Sequence, residues 1–250
     1  MSLANNINEV IALLDTIITA ETAADSRLAF FPVLYKKVTQ QIQLGIENKE
    51  FEDNPRMEKL DVIFANRYID AYHQFKVDEL TIQSWQNAFQ AGSNKKLLIM
   101  QHLLLGINAH INLDLGIAAA ETVEGDGEIA KLKNDFNQIN KILAELVDEV
   151  QTSIGRVSPL FYLLEKVGKG KEDKLVSFSI NLARDGAWLF ANSYHVSNDK
   201  TGEISRRDVI IGELANKLIT TKSRVLKWVI WFIRIFETKN VDKIVILLNE

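Results

Sequence analysis

The sequence predicts an all-α protein, a multi-helix bundle of about ten helices folded as one domain over residues 1–250. Three observations carry this expectation. The chain holds only three prolines, and two of them directly follow residues that cap helices. No stretch alternates apolar and polar residues with the period of two that a half-buried strand requires. Gly, Asp and Lys gather instead in short breaks, "ETVEGDGE", "GKGKED" and "SNDKTGE", between long segments rich in helix formers.

The elements follow in order. A first helix is expected near 4–20. Pro32, inside "LAFFPVLYKKV", divides two helical pieces, and the second runs over 33–48. Asn54-Pro55 opens a helix at 55–77, where proline in the first turn loses no needed N–H. Helices near 81–91, 94–120 and 128–152 come next. Ser158-Pro159 opens 159–167, and another helix covers 172–196. Ser205 and Asp208 form a capping-box variant ahead of 206–221. Segments at 223–237 and 240–248 complete the chain, although "DKIVILLN" in the last is also strand-like.

Composition narrows the function classes. With 47% hydrophobic and 25% charged residues the chain can build a sizeable core. A net charge of −4 gives no general electrostatic reason to bind nucleic acid or an anionic membrane. The absence of cysteine removes disulfides, thiolate metal sites and thiol nucleophiles, and suits a reducing compartment. The N-terminal "MSLANNINEVIALLD" lacks a basic region followed by an apolar run, so a cytoplasmic location is expected. The two most apolar runs, Leu97–Leu113 and Val225–Phe236, are interrupted by polar residues or too short, so no membrane span is expected. HExxH, a glycine-rich phosphate loop, GxSxG and the Glu-x-x-His pair of di-iron bundles are all missing.

The chemistry-bearing residues sit in "GINAHINLDLG". At about 100° per residue, His110 and Asp114 share one helix face, with Asn108 and Asn112 nearly opposite. The other positions are mostly Leu and Ile, which makes this a central helix whose polar groups need partners. Candidates come from "FANRYIDAYHQF", where Arg67, Asp70 and His73 follow at steps of three, and from "SFSINLARDGAW". There Asp185 lies in line with Phe178, Leu182 and Leu189, flanked by Trp188.

Two readings follow. In the first, these groups converge inside the bundle on a small ligand or one divalent metal ion. His110, Asp114 and His73 are then the metal candidates, and Arg67, Asp70, Asn108, Asn112, Asp185 and Trp188 the ligand contacts. A hydrolytic role would use His110 and Asp185 as ligand or general base. In the second, the chain is a helical scaffold whose polar core merely fixes packing. The C-terminal "RVLKWVIWFIRIF" is expected to dock in the core, or, if exposed, to form a homodimer contact before a lipid contact.

The segments "LDVIFANRYIDAY", "HLLLGINAHINLDLG", "NDFNQIN" and "ARDGAW" occur in an order and spacing that resembles an uncharacterised bacterial family of all-helical proteins, a domain of unknown function. The resemblance spans Phe31 to Asn192, and "NAHINLDL" is its most specific part. It implies a bacterial origin and a single helical domain, and it brings no activity, substrate or catalytic assignment.

Overall fold

A computed structural model describes residues 2–123, 128–168 and 174–250. The chain is all-α, with no strand among the described residues. The elements are α1 (Ile7–Ala23), α2 (Phe30–Glu47), α3 (Asn54–Lys76), α4 (Gln83–Ala91), α5 (Ile99–Ala109), α6 (Leu115–Thr122), α7 (Lys133–Val157), α8 (Tyr162–Gly168), α9 (Lys174–Ser177), α10 (Ile180–Val196), α11 (Lys200–Ile219), α12 (Arg224–Phe236) and α13 (Val241–Asn249). Of the expected breaks at 121–128 and 168–173, residues 124–127 and 169–173 lie outside the described residues.

Helix starts explain most departures from the expected boundaries. Pro32 does not divide a helix: it sits in the first turn of α2, behind a short 3-10 turn at Arg27–Ala29. Asp53, one residue before the expected cap, accepts from Arg56 N and starts α3. Helix α11 begins at Lys200 because Asp199 accepts from Gly202 N, so Ser205 lies inside it and donates to Thr201 O. A break at Phe178-Ser179 separates α9 from α10, and Ser179 caps the latter through Leu182 N. The C-terminal "DKIVILLN" is helical, capped by Asn240.

Buried carboxylates cap helices to which they do not belong. Asp208 of α11 accepts from Gln83 N (2.6 Å) and Ser84 N (2.9 Å) at the start of α4. Asp135 of α7 accepts from Glu52 N and Asp53 N ahead of α3 and pairs with Arg56 at 2.7 Å. Glu237, after α12, accepts from Ile99 N at the start of α5. Each tie satisfies backbone N–H groups in the first turn of a helix or just ahead of it while fixing the position of a distant element.

The continuous run Ile99–Thr122, comprising α5, a π-helical turn at His110–Asp114 and α6, forms the centre. It is long and apolar enough to cross a membrane, yet 89% of its most apolar window is buried in the fold. Helices α2, α3, α4, α10 and α11 surround it. Helix α10 lies closest, since a Cβ on Gly116 would meet Phe190 Cδ1 at 2.7 Å and Ala187 O at 2.8 Å. A backbone oxygen cannot swing aside as a side chain can. Gly116→Ala is therefore expected to destabilise by about 1–3 kcal/mol, read by chemical denaturation. An unchanged midpoint would mean that α10 can back away freely.

Candidate functional site

Asp114 is the node of the central helix. Its side chain is 1% exposed. Oδ1 accepts from Arg67 Nε of α3 at 3.0 Å, and Oδ2 accepts from Trp85 Nε1 of α4 at 2.8 Å. His110 Nδ1 lies 3.3 Å from the same Oδ2. A carboxylate with two firm donors is a good acceptor, so this geometry sets the tautomer: Nδ1 carries the proton and Nε2 presents a lone pair. Nε2 is buried and has no hydrogen-bond partner. Burial holds the imidazole pKa below its usual value, against the pull of Asp114, which keeps the ring neutral at pH 7.

The π turn contributes to this placement. Such single turns inside α-helices recur at functional sites, where they re-aim side chains at some cost in hydrogen-bond geometry. Here the turn carries His110, Asn112 and Asp114 together. His110 is then packed in place, stacked on Phe64 (3.6 Å, 9°) with the Tyr35 ring edge-on at 4.4 Å. Gly106, one turn earlier, leaves room for Phe31, which would otherwise strike a Cβ at 2.5 Å.

His110 lines a cavity of about 920 Å³. Its walls are largely aliphatic and aromatic, drawn from α2, α3, α5 and α7, including Leu34, Ile42, Leu60, Leu103, Ile107 and Leu143. At the rim stand exposed residues: Gln151 and Gly155 of α7, Pro159, Tyr162, and Ile180 and Asn181 of α10. In the buried part of the same cavity, near Tyr35 and one turn before Phe64 on α3, lies Asp61, 3% exposed, with neither carboxyl oxygen hydrogen-bonded. Burial pushes Asp61 up to about 8, with Glu58 adding to the effect. Asp61 is thus a neutral carboxylic acid at pH 7, able to donate. The Tyr35 and Thr39 hydroxyls lie close to one another. Buried polar groups are normally satisfied, so an orphan acid and an orphan imidazole nitrogen on one cavity are an exception that calls for a partner.

One further polar station lies on the wall. Arg184 is 3% exposed, donates to Asn140 Oδ1 and Phe136 O, and lies 4.6 Å over the Phe136 ring. Burial lowers its pKa to about 10, so it remains a cation at neutral pH.

A family model described as a family of unknown function, DUF5995, matches residues 7–221. The chain belongs to DUF5995. No curated protein and no solved structure matches it. The matched region of this DUF5995 chain contains Asp61, Arg67, Trp85, His110, Asp114 and Arg184, while α12 and α13 lie beyond it.

Among the residues singled out by sequence, this DUF5995 fold unites His110, Asp114 and Arg67 and separates the others. Asn108 accepts from Asn112 Nδ2 (3.1 Å) and donates to Ile211 O (3.1 Å), so this pair ties α5 to α11. Asp70 is exposed and accepts from Gln74. His73 is half-buried beside the Tyr72 ring. Asp185 is exposed because the stripe on which it lies faces outward, with Leu182 and Leu189 each 70% exposed. Small residues decide this: Ala183, Ala187 and Ala191 let α10 approach Gly116, which turns Arg184 inward in place of Asp185. Trp188 packs on Phe136 at 4.9 Å, with Lys133 over its ring.

The expected metal centre finds no ligand set. Among the described residues no three His, Asp or Glu side chains are placed to hold an ion. Asp114 also has both oxygens engaged by Arg67 and Trp85. The site can hold or move a proton at His110 Nε2 and donate one from Asp61, both within an apolar chamber. Sequence reasoning missed Asp61, Tyr35, Trp85 and Arg184. One signal for the first was present: Asp61 falls on the helical stripe of Met57, Leu60, Phe64 and Tyr68, a carboxyl within an apolar face.

Proposed function

We propose that this protein binds an elongated apolar small molecule bearing a neutral hydrogen-bonding group. The observation that carries this reading is the pairing, on one largely apolar cavity, of a neutral acid and a bare imidazole nitrogen, neither with a partner in the fold. A chamber of about 920 Å³ lies in the size range of small-molecule sites, roughly 300–1,000 Å³. Aliphatic walls favour hydrocarbon, while the Asp61 O–H and His110 Nε2 offer one donor and one acceptor. That combination complements a hydroxyl, which both gives and takes a hydrogen bond, and Asp61 alone suits a carbonyl. An anionic head is disfavoured at this end, where burial already keeps Asp61 uncharged.

The test uses a fluorescent apolar probe, N-phenyl-1-naphthylamine, and its displacement by hexadecanol and by hexadecane. The probe is expected to bind, with the alcohol displacing it better than the alkane. Ile107 lines the cavity one turn from His110, so Ile107→Trp should fill it and weaken probe binding by roughly tenfold or more, with the helix content unchanged. If the protein ignores the probe and all the competitors, or binds them equally after Ile107→Trp, the scaffold reading replaces this one.

A further inference from the structure

Helix α12 does not bury its aromatic face. Leu226, Val229 and Ile233 point into the core, but Trp228 is 64% exposed, Trp231 58% and Phe236 54%. Trp228 stacks on Phe232 at 5.8 Å and leans on Trp231 at 6.1 Å, so these rings form one continuous patch. The expectation that this helix docks in the core holds for one side only.

We infer that this face docks onto an anionic lipid surface. The charge pattern argues for lipid over a second copy of the chain. Arg224 and Lys227 are exposed on α12, with Lys222 and Lys239 exposed just beyond its ends. Between residues 222 and 239 the single acid is Glu237, which is 4% exposed and is engaged by Ile99 N. A twofold contact through this face would press the cations of residues 222–239 against their own copies, with no exposed acid in that segment to neutralise them. Anionic headgroups supply what the face lacks. Indole rings amid Lys and Arg are the side chains that settle at the boundary between headgroups and acyl chains. The net charge of −4 makes the patch a local feature rather than a property of the whole surface.

Its position gives the patch a use. Helix α12 packs against α8, and α8 begins at Tyr162, on the rim of the cavity. A protein seated by α12 on a bilayer would hold that rim near the source of any apolar ligand. The docking proposal nevertheless stands apart from the cavity reading, because it rests on exposed residues alone.

Co-sedimentation of the full chain with vesicles of phosphatidylcholine, alone and mixed with phosphatidylglycerol, tests it. Binding is expected for the mixed vesicles, weaker for the neutral ones, and reduced by salt. Trp228→Ser/Trp231→Ser should lose roughly tenfold or more with little change in melting temperature, since more than half of each residue is already in water. Lys227→Glu should weaken binding by roughly fivefold or more. The cavity-filled Ile107→Trp should bind vesicles as the parent does, which separates failure here from failure of the ligand reading. No sedimentation with mixed vesicles at low salt overturns the proposal. So does equal binding by the double variant, or a dimer that the same two substitutions dissociate in place of vesicle binding.

Discussion

Asp61→Asn is expected to stabilise the protein, and by an amount that grows with pH. The folded state holds the Asp61 carboxyl near 8 against an ordinary 3.8, because ionising it means placing an uncompensated charge in an apolar chamber beside Glu58. Between these two values the folded protein keeps a proton that the unfolded chain has released. Stability from this group is therefore complete below about pH 4, falls as pH rises, and is flat again beyond pH 8. The slope is at most about 1.4 kcal/mol per pH unit. Asparagine has nothing to ionise and removes the slope.

Two buried imidazoles act in the opposite sense at lower pH. His102, pushed down to about 3, and His110, also lowered, remain neutral in the fold while the unfolded chain takes up protons below 6.5. Their contribution is lost as pH falls through that value. They are common to both proteins, so the difference between Asp61→Asn and the parent isolates the carboxyl. Denaturation at pH 6.5 and 8 should show that difference widening by about 1.6 kcal/mol. Parallel stability in the two proteins across this interval would mean that Asp61 ionises freely, and the neutral donor of the proposed site would be lost with it.

The sequence disclosed the helices because capping and proline rules are local. It disclosed His110 and Asp114 because they lie one turn apart on a helix that is otherwise apolar. What it concealed depends on longer distances or finer phase. Nothing near Asp208, Asp135 or Glu237 indicates that each will cap a helix far away in the chain. Arg184 and Asp185 are neighbours, and a phase shift of one residue decides which enters the core; the alanines and Gly116 settle it, whereas the leucines had argued otherwise. The π turn also upsets a projection at fixed angle, since it adds a residue to the turn that carries the site. A cavity, finally, is what several helices leave unfilled, and no single segment encodes it.

Asp114→Ala is expected to be the most damaging single change in the central helix. It removes the acceptor shared by the Arg67 guanidinium, the Trp85 indole and the His110 imidazole, and the two rings are almost wholly buried. Breaking a buried ion pair at one partner costs about 3–5 kcal/mol; here the Trp85 and His110 donors lose their acceptor in a dry core, while Arg67, its side chain 23% exposed, keeps some access to water, which puts the expected loss at the lower end of that range. Chemical denaturation reads this directly, and a loss below about 1 kcal/mol would show that α3 and α4 are not anchored through this carboxylate. Asp114→Asn separates architecture from chemistry. It keeps shape and one acceptor oxygen; with that oxygen turned to Arg67, the amide N–H stands where Trp85 Nε1 and His110 Nδ1 had shared a negative oxygen, and of those two only the imidazole can give up its donor. The imidazole then has reason to turn its proton to Nε2, replacing the lone pair on the cavity with a donor. Nitrogen-15 chemical shifts should place the His110 proton on Nδ1 in the parent and move at least part of it to Nε2 in the variant. Hexadecanol affinity should fall in step with that movement, while hexadecane displacement stays as it was. If the tautomer changes and alcohol binding does not, Nε2 is not the acceptor that the ligand meets.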